Sequence, residues 1–286
     1  MQYERPGTLQ DASRLLVETQ GTAFILAGGT DLLVRSKSDD FEADLVVDIK
    51  SVDGLEDVRE TAAGFTIGAA VSCAELGAHA ELKAAWPGVV EAANLIGSAQ
   101  IQSRCTIAGN LCNASPAADS VPALVAAGAR AVVTGPDGTR TIPVEDVPVA
   151  PGETSLGKAE IIAAIELDKR PPRSGDAYLR FIPRTEMDIA VVGAGVNLTL
   201  DEAGTVKSAR VALGAVAPTV VLVDEAADAI VGTKLEDAAL EKLAELCSAA
   251  CRPIDDKRGT VDFRKKVAGV LARRAARIAY DRAGGA

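Results

Sequence analysis

The sequence predicts an α+β chain of two domains, and three observations carry that prediction. Its 286 residues exceed what one typical domain needs. The first 50 or so residues alternate helix and strand patterns as a compact βα-type lobe does. Beyond residue 177 the pattern changes to three strands followed by helices, which is an α+β arrangement. The expected division is an N-terminal domain over residues 1–172, with lobes of about 1–55 and 56–172, and a C-terminal α+β domain over 177–282.

Thr8 can cap a first helix, with Asp11 in its first turn and Leu9, Ala12, Leu15 and Leu16 on its apolar face. A strand follows at 23–26. Gly28 and Gly29 then stand where a strand turns into a helix that begins near Leu32. Residues 45–49 read as a fully buried strand, and 64–68 as another. Residues 72–79 and 82–96 are helical in pattern, broken at Trp86-Pro87-Gly88, where proline removes an amide donor. Residues 131–134 and 139–142 flank a Gly-Pro-Asp-Gly turn and predict a hairpin. Residues 161–167 predict a strand, and 168–176 have the composition of an exposed linker. Strands at 178–181, 189–200 and 206–216 come next. Leu240, Leu243, Ala244 and Cys247 mark one helix, and the spacing of Phe263, Val267, Val270, Leu271, Ala275 and Ile278 marks a longer terminal one.

Composition excludes several functions. With 48 % hydrophobic and 24 % charged residues the chain is an ordinary globule. Its net charge of −10 repels polyanions, which excludes a nucleic-acid footprint, so any phosphate must be held by local backbone donors. The longest uncharged stretches, 61–74 and 105–118, are too short to span a bilayer. Glu4, Arg5, Asp11 and Arg14 interrupt the place where a secretory signal would need an apolar core, so a cytoplasmic protein is expected. Five cysteines are too few and too irregular for a disulfide framework, and reduced thiols are the default.

The single histidine, His79, lies on a polar helical stretch with no nucleophile signature nearby and reads as a solvent-facing residue. That removes a Ser-His-Asp triad. No Cys-x-x-Cys is present; Cys247 and Cys251 read as small buried thiols, and no metal site is expected. Gly193-Ala194-Gly195 is a dinucleotide-binding decoy. Leu198 stands where the third glycine is required, and the flanks read as one long strand.

Two segments remain. Ile25-Leu26-Ala27-Gly28-Gly29-Thr30-Asp31-Leu32 passes from strand to helix, and its glycines allow positive φ, so that successive N–H groups can converge on an anion. Thr106-Ile107-Ala108-Gly109-Asn110 offers more backbone donors at a second glycine turn, followed by a hydroxyl at Ser115 and a carboxylate at Asp119 suited to a sugar or ribityl hydroxyl.

In order and spacing these two segments resemble the FAD-binding medium subunit of the molybdenum hydroxylase family, the carbon monoxide dehydrogenase and xanthine dehydrogenase type. Arg184-Thr185-Glu186-Met187-Asp188-Ile189-Ala190, like the family's Arg-x-x-x-Asp-x-Ala, extends the resemblance over essentially the whole chain. The resemblance implies that residues 1–172 form a two-lobed FAD-binding domain of the PCMH (vanillyl-alcohol-oxidase-like) type, and that the C-terminal domain carries a three-stranded antiparallel sheet. It implies FAD as cofactor, with residues 25–32 and 106–110 lining the pyrophosphate and the neighbouring flavin. Ser115 and Asp119 would serve the ribityl and phosphate region, Ile162 would pack on the cofactor, and Arg180 would stand near the ring where many members place a lysine. The alternative for Arg180 is a surface partner of Asp176 or Glu186.

Two departures from the family pattern stand out. Ala108 replaces a glycine and must keep a negative φ or accept strain, and arginine replaces lysine at 180. The implied partners are a large molybdopterin subunit and a small subunit with [2Fe–2S] clusters, in a heterotrimer that is often doubled. The implied role is passing electrons to NAD, a quinone or oxygen. A self-contained flavin oxidoreductase and a cofactor-free scaffold are the alternatives.

Overall fold

The computed structural model describes residues 1–39 and 41–285. The first lobe runs β1 (Gln2–Glu4), α1 (Leu9–Glu18), β2 (Ala23–Leu26), α2 (Leu32–Arg35) and β3 (Leu45–Asp48), with a parallel sheet in the order β1-β3-β2. Thr8 caps α1 as expected, its hydroxyl accepting from the Asp11 amide. All four residues of β3 are buried, because it is the central strand.

The second lobe contains β4 (Val58–Thr61), β5 (Gly64–Gly68), α3 (Cys73–Ala78), α4 (Ala80–Ala85), α5 (Pro87–Ala93), α6 (Ala99–Gln102), α7 (Ile107–Cys112), α8 (Ser120–Ala126), β6 (Arg130–Gly135), β7 (Gly138–Pro143), β8 (Pro148–Ala150), β9 (Glu153–Thr154) and β10 (Ile161–Asp168). Its main sheet is antiparallel in the order β4-β5-β10-β6-β7. The returning strand β10 fills the gap between β5 and β6, with a register shift between Ile162 and Ala164. The two lobes share one apolar core, in which Leu16, Val47 and Ile49 join Ile67, Ile161 and Ile165. Ser13 on α1 fastens it by donating to the Ala159 carbonyl at 2.9 Å.

The C-terminal part consists of β11 (Ser174–Phe181), β12 (Val192–Leu200), β13 (Val206–Gly214), β14 (Val221–Leu222), α9 (Asp224–Asp228), α10 (Asp237–Ala250) and α11 (Val261–Arg282). Its antiparallel sheet has four strands, not the three expected; the fourth is a two-residue pair too short to leave a periodic pattern. The decoy glycines lie inside β12, and a β-carbon on Gly195 would stand 2.6 Å from the Pro122 carbonyl oxygen, so glycine lets α8 pack directly on the sheet. All seven residues of α8 are buried between the second lobe and this sheet. Among the described residues no helix is long and apolar enough to cross a membrane.

The expected linker at 168–176 is a tight connection with strand at both ends. Its charged residues are structural: Arg170 stacks 4.3 Å over the Trp86 ring and donates to Asp176 Oδ1 and Asn197 Oδ1, each at 2.8 Å. Asp176 also accepts from the Val89 amide at the start of α5. This ion pair is about nine-tenths buried on both sides, so each charge depends on the other for its solvation.

We therefore expect Arg170→Ala to lower the unfolding free energy by about 3–5 kcal/mol, since Asp176 would be left as an unpaired buried charge. Trp86, the only tryptophan, would shift its emission to longer wavelength as the seam opens. A loss below about 1 kcal/mol, the range of an exposed pair, would contradict this reading of the seam.

Candidate functional site

Between the two lobes lies a cleft of ≈ 310 Å³. At its floor β2 ends at Leu26 and the chain turns through Gly28 and Gly29 into α2. The two glycines serve different needs. Gly29 has φ +79°, which a β-carbon penalises. Gly28 is not in the left-handed region; a β-carbon there would stand 2.0 Å from the Arg104 carbonyl oxygen and 2.8 Å from the Cys105 Cα. The missing side chain thus lets the first segment press its backbone against the residues that lead into the second.

The second segment is not the glycine turn expected. Thr106 is an N-cap whose Oγ1 accepts from the Gly109 amide at 2.9 Å, and residues 107–112 are helical. Neither Ala108 nor Gly109 has positive φ, so alanine at 108 costs no backbone strain. Asn110 is oriented by Ser120, which donates to its Oδ1 through Oγ at 2.7 Å, and among the described residues its Nδ2 meets no acceptor.

Leu33 donates its amide to the Gly29 carbonyl at 2.9 Å. Among the described residues the preceding amides of Gly29, Thr30, Asp31 and Leu32 meet no acceptor within the chain. These are donors for an anion. Lys50 braces the turn from behind, donating to the Ala27 carbonyl at 3.1 Å and to the buried Asp48 at 2.6 Å. Partial desolvation against the cleft raises the Asp31 carboxyl, against the pull of Arg35, although the residue as a whole stays exposed. Glu160, on the opposite wall, is held down at about 2 by Arg140 and the Gly157 amide. Ile25, Ile49, Ile96 and Ile162 supply apolar walls, and the register shift in β10 falls at Ile162. The arrangement suits an extended ligand with an anionic centre and a flat apolar end. His79 is a half-buried cap, not a solvent-facing residue: its Nδ1 accepts from the Leu82 amide at 3.2 Å, outside the cleft.

Of the residues singled out in the sequence, Ile25, Ala27, Gly28, Gly29, Thr30, Asp31, Leu32, Thr106, Ala108, Gly109, Asn110 and Ile162 line this cleft. Leu26 and Ile107 do not; alternation along β2 turns Leu26 into the core, and Ile107 faces inward from α7. Ser115 lies in a separate small recess, its Oγ accepting from the Ala117 amide at 3.3 Å. Asp119 and Arg180 meet each other at the seam between the second lobe and the C-terminal sheet. Arg180 donates to Asp119 Oδ2 at 2.6 Å and Tyr178 to Oδ1 at 3.1 Å, so the Arg180 partner is neither Asp176 nor Glu186. Arg180 Nε is buried without a partner among the described residues. Sequence reasoning missed Cys105 as a lining residue, along with Phe24, Arg35 and Lys158. Of these, Phe24 and Cys105 adjoin the two recognised segments, at Ile25 and Thr106.

Burial pushes the Asp119 carboxyl up to about 6, although Arg180 and Tyr178 favour its ionised form. An acid raised on folding is stabilising while protonated, so its contribution is complete below its ordinary value near 3.8 and is lost as pH rises through 6. The unfolding free energy of the wild type relative to Asp119→Asn is expected to fall by about 3 kcal/mol between about pH 3 and pH 7. A difference that stays level or rises over that range would contradict the burial argument.

Comparison with known proteins agrees with this geometry. Residues 1–169 match the family model described as the FAD binding domain in molybdopterin dehydrogenase, and residues 177–279 match the CO dehydrogenase flavoprotein C-terminal domain. The chain is 33 % identical to the carbon monoxide dehydrogenase medium chain of Afipia carboxidovorans, over 98 % of this chain and 97 % of that one. It is 28 % identical to the xanthine dehydrogenase FAD-binding subunit of Escherichia coli O157:H7, over 99 % and 97 %. Its fold superimposes on reconstituted CO dehydrogenase from Oligotropha carboxidovorans with a TM-score of 0.94 at 33 % identity, covering 99 % of this chain and 98 % of that one. The chain belongs to the family of FAD-binding medium subunits of molybdenum hydroxylases, and FAD is its cofactor.

Proposed function

We propose that this subunit is the electron outlet of a cytoplasmic molybdenum hydroxylase. A large molybdopterin subunit would oxidise the substrate, a small subunit would relay electrons through [2Fe–2S] clusters, and this chain would deliver them to NAD, a quinone or oxygen. The assembly would be a heterotrimer, commonly doubled. Within the chain, residues 1–172 would be the FAD-binding domain, with lobes of about 1–55 and 56–172, and 177–282 the C-terminal domain. The observation that carries the reading is the backbone contact of Gly28 with Arg104 and Cys105, which gathers both motif segments at one cleft.

FAD, when bound, supplies chemistry that can link one-electron donors to a two-electron acceptor. The residues of this chain hold and orient it. The amides of Gly29, Thr30, Asp31 and Leu32 would grip the pyrophosphate, and Ile25, Leu26 and Ala27 would bring β2 up to it. Thr106, Ala108, Gly109 and Asn110 would flank the flavin, with Ile162 packing on it and Ile107 anchoring the segment in the core. Ser115 and Asp119, which lie outside the cleft, would serve the ribityl and phosphate region where the cofactor extends past it. Arg180 would place its charge near the ring, and its unpartnered Nε supports that role, since a buried donor is costly until an acceptor arrives.

Gly28→Val tests the reading. The isopropyl group forces the two segments apart, so FAD affinity is expected to fall at least ~10-fold, about 1.4 kcal/mol, with circular dichroism unchanged. Full flavin occupancy in a folded Gly28→Val protein would show that the pyrophosphate lies elsewhere. In the assembled complex stripped of FAD, substrate is expected still to bleach the iron–sulfur absorbance while delivery to the acceptor stops. Continued delivery would overturn the outlet role.

A further inference from the structure

Cys73 and Cys105 face each other beneath the cleft. The Cys73 amide donates to the Cys105 carbonyl at 2.8 Å. With standard bond lengths that contact keeps the two α-carbons within about 6.7 Å, inside the ~4.4–6.8 Å span of disulfides. Both side chains are buried, but Cys105 lines the cleft and a small oxidant can reach it from there. Cys73 opens α3 and Cys105 immediately precedes the Thr106 cap of α7, so a bond between them would tie two helix starts together.

The thiols are chemically unequal. The neighbouring Cys73 thiol holds the Cys105 thiol below its ordinary value, while Cys105 and burial push Cys73 up. Cys247 and Cys251 go the other way: burial drives Cys247 to about 12 and Cys251 to about 11. Cys112 is exposed and has no such thiol neighbour among the described residues. A more acidic thiol beside a second one is the arrangement of an oxidation-sensitive pair with a resolving partner.

We propose that Cys73 and Cys105 are a peroxide-oxidisable dithiol whose disulfide loosens the cleft's hold on FAD. The Cys105 thiolate attacks one oxygen of hydrogen peroxide, giving a sulfenic acid and releasing hydroxide. The Cys73 thiol then displaces the sulfenic oxygen as water, forming the S–S bond. Two thiols lose two electrons and two protons, and one peroxide becomes two waters. Closing the sulfurs to about 2.05 Å draws the Cys105 segment towards α3, and that segment is the one pressed on Gly28. The effect on FAD rests on the cofactor placement proposed above; the cross-link does not.

The test treats the full-length chain with hydrogen peroxide, both before and after loading with FAD, then alkylates and digests it without reductant. Mass spectrometry is expected to find a peptide joining Cys73 to Cys105, with fragmentation excluding Cys112. Dithiothreitol should remove it, and Cys73→Ser, or Cys73→Ala if the serine variant fails to fold, should never form it. The FAD dissociation constant is expected to rise at least tenfold in the oxidised wild type and to stay level in the oxidised Cys73 variant. Absence of the cross-link overturns the dithiol, and a cross-link with unchanged FAD affinity overturns the switch. A chain that takes up no FAD before oxidation would instead fail the cofactor placement, while the peptide map still decides the thiol chemistry.

Discussion

One steric fact organises this molecule: the chain at Gly28 carries no side chain, and the backbone at Arg104 and Cys105 occupies the space. Because of that contact, the end of a parallel strand in the first lobe and the start of a helix in the second become neighbours. The cleft between the lobes follows from it, and so does the convergence of amides in a strongly acidic protein. A net charge of −10 works against holding a diphosphate by long-range attraction. Main-chain dipoles in a fixed turn act at short range, and a lysine braces that turn from behind.

A second layer of organisation lies at the seam with the C-terminal sheet. Helix α8 is the wedge, buried on all sides, and β12 meets it through glycine. Around the wedge, arginines carry the polar contacts. Arg170 reaches Trp86, Asp176 and Asn197, Arg180 reaches Asp119, and Arg210 reaches Glu145 and the Val125 carbonyl. The buried pairs Arg170–Asp176 and Arg180–Asp119 add less net stability than their distances suggest, because desolvation offsets attraction, but breaking one partner is expensive. The seam is therefore specific: it holds the sheet at one angle to the cleft and keeps Arg180 and Tyr178 beside Asp119.

Local signals in the sequence foretold much of this and missed what depends on distant partners. The cap at Thr8, the strand at 23–26, the buried strand at 45–48 and the hairpin around Gly135 to Gly138 were legible because each is set by residues within a few positions. Gly193-Ala194-Gly195 is legible as strand for the same reason. The helical state of residues 107–112 was not legible, since a glycine and two small residues look like a turn until Thr106 is seen capping them. Nor was the role of Gly28, which looks conformational in sequence and is steric in space. The residues at 168–176 read as solvent-exposed from composition alone, yet Arg170 and Asp176 are buried by a ring and a helix start more than 80 residues away. Asp119 and Arg180 were singled out by resemblance, and the structure adds their mutual contact, which no local pattern encodes.

The most direct test of the central claim is amide hydrogen exchange of the full-length chain with and without FAD, resolved over residues 28–32 and 106–110. If two segments grip one dinucleotide, both should slow together, and the amides of Gly29, Thr30, Asp31 and Leu32, which meet no acceptor among the described residues, should slow most. Protection confined to one segment, or FAD bound with neither segment slowed, would contradict the account.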